Sequence, residues 1–168
     1  MSTEKQEHIK HTFAPVLDEH SRVLILGTMP SPKSREHGFY YSHPQNRFWK
    51  VLAALFDEHA PESAEEKRAF ALRHKIALWD VLSECDISGA ADSSIKAPIP
   101  NDIPALLSKT NITAVFTTGT AAAKLLNRFY PEISKKSCPL PSTSPANAKM
   151  RLAELTEKYR AILDFTEK

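Results

Sequence analysis

The chain has 168 residues, 42% of them hydrophobic, enough to bury one core, and nothing in the composition marks a second domain beside a single one over 1–168. A net charge of +2 excludes a protein that meets nucleic acid with its whole surface, so any such face has to be a local patch. Cys85 and Cys138 exclude a disulfide framework and a C-x-x-C metal or iron–sulfur site, and the seven histidines form no H-x-x-x-H or H-E-x-x-H pair, so neither metal nor cofactor is expected.

In chain order, the first ten residues are mostly polar and charged, unlike a signal peptide, and no apolar run reaches the roughly 18 residues of a membrane helix. A cytoplasmic monomer is expected. Arg22 leads Val23 to Leu26, a continuously apolar strand that suits burial on both faces of a parallel sheet. Gly27 ends it, which predicts a close backbone approach, either to packing neighbours or to a ligand. Gly38-Phe39-Tyr40-Tyr41 puts three aromatics on a loop, to stack on something flat or to form a satellite core.

Ser42 followed by Gln45 reads as a capping box with Pro44 in the first turn, so a helix is expected from Ser42. Phe48, Val51, Leu52, Leu55 and Phe56 form its buried stripe, and Asn46, about 200° around from Phe48, points away from it and is free for a ligand. Ala64 to His74 reads as a polar helix with Phe70 and Leu72 inward, and Ile76 to Leu82 as a second strand. Asp80, near its end, is either a turn cap or a ligand-facing group.

Cys85 to Pro104 has no periodic pattern and reads as a long loop, a lid or a poorly packed excursion. A short helix follows from Asp102 to Leu107, then an apolar strand from Ile112 to Thr118. Gly119-Thr120 turns it into a helix from Ala121 to Tyr130; that turn suits an anion but is more simply an ordinary connection. Pro139 and Pro141 confine Cys138 to Leu140 to a sheet edge. The hydroxyls of Ser142, Thr143 and Ser144 suit phosphate contacts or a capping cluster. Leu152, Leu155, Tyr159, Ile162 and Leu163 make the last helix amphipathic.

Strands alternating with helices predict a three-layer α/β/α domain around a parallel sheet of about four strands. Ligands of such sheets sit beyond the strands' carboxyl ends, where Gly27, Asp80, Gly119 and Ser142 would gather. The basic pairs Lys33/Arg35, Arg47/Lys50, Lys135/Lys136 and Lys149/Arg151 lie beside these segments and are candidates for phosphate contact.

Three segments resemble the uracil-DNA glycosylase superfamily. Gly27-Thr28-Met29-Pro30-Ser31 is similar to its first motif, His43-Pro44-Gln45-Asn46-Arg47-Phe48-Trp49-Lys50 to the helix that follows in the mismatch-specific and thymine-DNA glycosylase branch, and Leu140-Pro141-Ser142-Thr143-Ser144-Pro145-Ala146 to that branch's minor-groove loop. Their order and separation match over about residues 10 to 165. Met29 stands where the mismatch-specific branch carries the asparagine that positions water. The group lacking that asparagine is the hypoxanthine-DNA glycosylases, which Lys33-Ser34-Arg35-Glu36 and Trp79-Asp80-Val81-Leu82 resemble most.

The resemblance implies removal of deaminated adenine from DNA, with Asn46 as the catalytic polar group, orienting water through its amide oxygen. It implies that Gly27, Thr28, Met29, Phe39, Tyr41 and Asp80 bind the base, with Tyr41 stacking on it, Phe39 or Tyr40 lining the wall and Asp80 reading its edge. Ser31, Lys33, Ser142, Thr143, Ser144 and Pro145 would contact DNA, the last loop supplying the wedge. With no lysine placed as an amine nucleophile, a monofunctional enzyme is expected. A uracil or mismatch-specific glycosylase, and an inactive DNA-binding module in which Met29 has abolished catalysis, are the alternatives.

Overall fold

The computed structural model describes residues 6–11, 13–88 and 94–166. Along the chain run β1 (Gln6–Lys10), β2 (Val23–Gly27), α1 (Pro32–His37), α2 (Phe48–Leu55), α3 (Ala64–Arg73), β3 (Ile76–Asp80), β4 (Leu82–Ser88), β5 (Lys96–Pro100), α4 (Ile103–Ser108), β6 (Ala114–Thr118), α5 (Thr120–Phe129), α6 (Pro131–Lys136), β7 (Cys138–Leu140), α7 (Leu152–Tyr159), a 3-10 turn at Arg160–Ile162 and α8 (Leu163–Thr166).

The apolar strands pair in parallel in the order β3-β2-β6-β7, with Val23 opposite both Ile76 and Ala114. Strand alternation then divides the core in two. Val23 and Ile25 face Phe48, Val51 and Leu52 of α2, Phe70 of α3, and Leu155 and Tyr159 of α7. Leu24 and Leu26 face Ile103 and Leu106 of α4, and Ala122 and Leu126 of α5. Helices therefore cover both faces of a four-stranded parallel sheet, which is the expected three-layer α/β/α architecture, and β2 is buried along its whole length as its unbroken apolar sequence requires. The two prolines keep β7 at the edge, where a missing N–H costs no ladder bond.

A second sheet corrects the expected long loop at Cys85 to Pro104. The strand expected at Ile76 to Leu82 ends at Asp80; beyond Val81, β4 joins β1 and β5 in an antiparallel sheet of order β1-β4-β5. The pattern was hidden because β5 carries two prolines, Pro98 and Pro100, and is half exposed, and because β4 draws its partner from the chain's first ten residues. The rest of that segment, residues 89–93, lies outside the described residues.

The helix expected from Ser42 begins instead at Phe48, so the capping box does not form. His43 to Asn46 make a turn closed by the Asn46 N–H on the His43 carbonyl (2.9 Å), and Asn46 Oδ1 accepts the Phe48 N–H (2.9 Å) in the manner of a helix cap. The Lys33 to Glu36 run is helical, with Ser31 accepting the Ser34 N–H (3.1 Å) and Gly38 left-handed at φ 76° beyond its end. In α3, Phe70 and Ala71 are buried, and Leu72 only half so. The helix after Gly119 stops at Phe129 because Pro131 starts α6, and the last amphipathic stretch breaks at Arg160, leaving Leu152 41% exposed. Among the described residues no helix is long and apolar enough to cross a membrane, and no group of three or more His, Cys, Asp or Glu is placed to hold a metal.

Candidate active site

A cavity of about 330 Å³ opens where β2, β3, β6 and β7 end, the place a parallel sheet reserves for ligands. Gly27, Thr28, Met29 and Ser31 line one side, Tyr41 and Asn46 another, Asp80 the floor, and Ser142 to Pro145 the rim. Tyr40 is on its wall, whereas Phe39 and Lys33 are not. Phe39 stacks on Trp49 (6.2 Å between rings) against the core, and Lys33 pairs on the surface with Glu36 (3.3 Å).

Gly27 is needed for space. A methyl there would lie 2.5 Å from Asp80 Oδ1 and 3.1 Å from the Tyr41 hydroxyl, so both alternatives read from the sequence meet: packing neighbours crowd the glycine, and those neighbours are the groups of the cavity. Asp80 closes β3 opposite Gly27, and its backbone is pinned by Asn101, whose Nδ2 donates to the carbonyls of Asp80 (2.9 Å) and Leu82 (3.0 Å). Among the described residues its carboxylate caps no turn; Oδ2 accepts a hydrogen bond from His11 Nε2 (2.7 Å).

Tyr41 sits at φ 54°, a left-handed conformation costing an aromatic residue roughly 1–2 kcal/mol. The strain is offset by a near-parallel stack of its ring on Phe48 (3.8 Å, 15°) and a contact of its hydroxyl with Thr118 Oγ1 (3.3 Å). One ring face is thereby spent, and the residue lines the cavity. Burial, reinforced by the charge of Asp80, pushes the phenols of Tyr40 and Tyr41 well above the ordinary tyrosine range, so both stay protonated donors. Tyr40 uses its hydroxyl on the Ala14 carbonyl (3.0 Å).

Asn46 reaches the cavity, but its amide oxygen is engaged: besides the Phe48 N–H it accepts the Thr143 hydroxyl (2.8 Å). Its Nδ2 makes no hydrogen bond to the described residues, so Asn46 is available as a donor and the expected alignment of water by its oxygen is corrected. Arg47 is corrected likewise. Instead of standing free for phosphate, its guanidinium donates to the carbonyls of Ser144 (3.0 Å), Asn147 (2.9 Å) and Met150, and ties the rim loop to α2.

Sequence reasoning missed His11 and Thr118 at or beside the cavity, and the apolar wall that Ile9 and Ile87 supply from the second sheet; of the basic pair Lys33/Arg35, Arg35 lines the cavity. Thr118 was within reach of inspection, as the last residue of an apolar strand before a Gly-Thr turn. No spacing or composition signal marks His11.

The family model described as the uracil DNA glycosylase superfamily matches residues 14–165. The chain belongs to that superfamily. It is 38% identical over 99 residues to a protein of Methanosarcina acetivorans named hypoxanthine DNA glycosylase, covering 58% of this chain and 63% of that one. It is 40% identical over 88 residues to the protein of the same name from Methanosarcina barkeri, covering 52% and 56%. The chain thus spans less than two thirds of the length of these superfamily relatives. The solution NMR structure of a candidate uracil DNA glycosylase from Methanosarcina acetivorans superimposes with a TM-score of 0.76 at 28% identity, covering 92% of this chain and 98% of that one.

Proposed function

We propose that this chain is a monofunctional DNA glycosylase that turns a deaminated base out of DNA and hydrolyses its N-glycosidic bond, with hypoxanthine preferred. The observation that carries the reading is the convergence, in one cavity of a uracil DNA glycosylase superfamily member, of a buried carboxylate, an aromatic ring and an amide donor. The names of the two Methanosarcina relatives support the choice of hypoxanthine.

A stacked base cannot reach such a floor, so it has to be flipped out at a cost of a few kcal/mol, less where pairing is already weak. The face of Tyr41 opposite Phe48 then stacks on the base, and Asp80 accepts from its ring N–H. Bond cleavage builds an oxocarbenium-like sugar and an anionic leaving base, which donors stabilise. Asn46 Nδ2 and the Met29 N–H, neither hydrogen-bonded among the described residues, are the donors at hand. Ser31 and the Ser142 to Pro145 rim contact the strand, and Lys33 on the outer side of α1 meets a phosphate. The protein acts on DNA as a monomer, in the cytoplasm.

Uracil is the second reading, because its ring N–H meets Asp80 in the same way. Single-turnover excision from duplexes carrying hypoxanthine or uracil opposite each of the four bases separates the two. Asn46→Ala is expected to lower the rate by about 10²-fold or more while DNA binding persists. Unchanged turnover would remove Asn46 from catalysis, and a protein inert on every duplex would leave the binding-module reading.

A further inference from the structure

Against the floor of the cavity, hydrogen-bonded to Asp80, lies a second buried titratable group that the reading above does not use. His11 follows β1, and its N–H donates to the Ser83 carbonyl (2.6 Å). Its side chain is 2% exposed, that of Asp80 4%. The imidazole stands edge-on to Phe13 (5.7 Å, 80°) and tilted against Tyr40 (5.9 Å, 46°), so it is caged between aromatic rings. Since a carboxylate has only acceptors, Nε2 carries the proton in the 2.7 Å bond to Asp80 Oδ2.

That bond uses one carboxylate oxygen and leaves the other. Asp80 Oδ1 makes no hydrogen bond to the described residues and lies with the Tyr41 hydroxyl over Gly27, all three on the cavity wall. The bond at Oδ2 opposes rotation about Cβ–Cγ, so Oδ1 is held as an acceptor over Gly27.

Resting on the glycosylase reading, we infer that His11 is a positioning residue that locks Asp80, and that the lock makes the site select bases carrying a lactam N–H over their amino-bearing parents. Hydrolytic deamination exchanges an exocyclic amino group for a carbonyl and moves a hydrogen onto the neighbouring ring nitrogen. Hypoxanthine N1 and uracil N3 are therefore donors, whereas adenine N1 and cytosine N3 are acceptors. A fixed Oδ1 accepts from the first pair and faces a lone pair in the second, the kind of mismatch that binding sites reject most strongly. A mobile carboxylate would lose that discrimination, because it could follow the amino group that adenine and cytosine still offer. The lock at the floor is what turns a general acceptor into a reader of deamination.

Single-stranded oligonucleotides remove base pairing from the test. His11→Ala is expected to lower kcat/KM for the hypoxanthine oligonucleotide by at least about tenfold, and to improve the adenine oligonucleotide as a competitor by about fivefold or more. His11→Gln, whose amide N–H can replace the imidazole donor, is expected to recover both quantities to within about threefold of the unsubstituted protein. In an Asp80→Ala background, which leaves the imidazole no side-chain oxygen to hold, His11→Ala is expected to change neither by more than about twofold, because the residue acts through the carboxylate. Thermal melts report folding, and the hypoxanthine-to-adenine ratio compares two strands on the same folded protein. An active protein whose ratio is unmoved by His11→Ala, or whose His11→Gln is no better than His11→Ala, overturns the inference alone. A protein inert on both deaminated bases overturns the glycosylase reading and this inference with it.

Discussion

The floor and the rim of the cavity solve opposite problems. At the floor, two buried side chains from distant parts of the chain, His11 and Asp80, satisfy one another and leave a single oxygen over Gly27 for a ligand. At the rim, polar groups first satisfy the loop that carries them. Ser142 Oγ accepts the Ser144 N–H (3.1 Å), Ser144 Oγ accepts the Ala146 N–H (3.2 Å), Asn147 Nδ2 donates to the Ser142 carbonyl (2.9 Å), and Thr143 donates to Asn46. The hydroxyls form the capping cluster that their spacing allowed, with Ser142 and Ser144 used there as acceptors, which leaves their own hydrogens to donate. The floor is rigid through burial. The rim is rigid through one arginine, and its chemistry is left over from its architecture.

Substitutions at the two places are expected to fail differently. Gly27→Ala pushes a methyl to 2.5 Å from Asp80 Oδ1, so the carboxylate has to move; excision should fall on the order of 10²-fold with the fold retained, and paired rate and circular-dichroism measurements check it. Arg47→Ala removes the hydrogen bonds that hold Ser144, Asn147 and Met150, and should cost about 2 kcal/mol by urea unfolding, with amide exchange accelerating in the rim before the sheet. Exchange that rises equally everywhere would erase the distinction between the two regions.

The buried phenols give a pH test centred on the floor. Burial raises the pKa values of Tyr40, Tyr41 and Tyr159 in the folded protein above the ordinary 10.0, so above that pH the unfolded chain releases protons that the folded one keeps. Their stabilisation is complete below pH 10 and declines as pH rises toward the folded-state values, by about 1.4 kcal/mol per pH unit for each phenol. Unfolding midpoints between pH 8 and 11.5 should be flat at first and then fall; Tyr41→Phe should flatten the decline. The smallest effect belongs to Lys33→Ala, outside the cavity wall: excision within about twofold of the unsubstituted protein, and a slope of log affinity against log salt lower by about 1.

The sequence by itself determined the frame. Apolar runs too continuous for a one-sided sheet are buried on both faces, and glycine or proline at their ends marks where they stop, so strands at Val23 to Leu26, Ile112 to Thr118 and the edge strand Cys138 to Leu140 were legible without coordinates; the structure extends the first to Gly27 and starts the second at Ala114. The motifs placed Gly27, Asn46, Asp80 and Ser142 near one another, because parallel strands deliver their ends to one side of the sheet. Only the tertiary structure decided what each polar atom does there. Whether Asn46 offers its oxygen or its nitrogen depends on Thr143, whether Arg47 is free depends on the rim's carbonyls, and which way Asp80 points depends on His11, 69 positions away in the chain. Patterns of burial repeat locally and leave a trace in sequence. A hydrogen bond between side chains brought together by folding is a single pairing without a period, and leaves none.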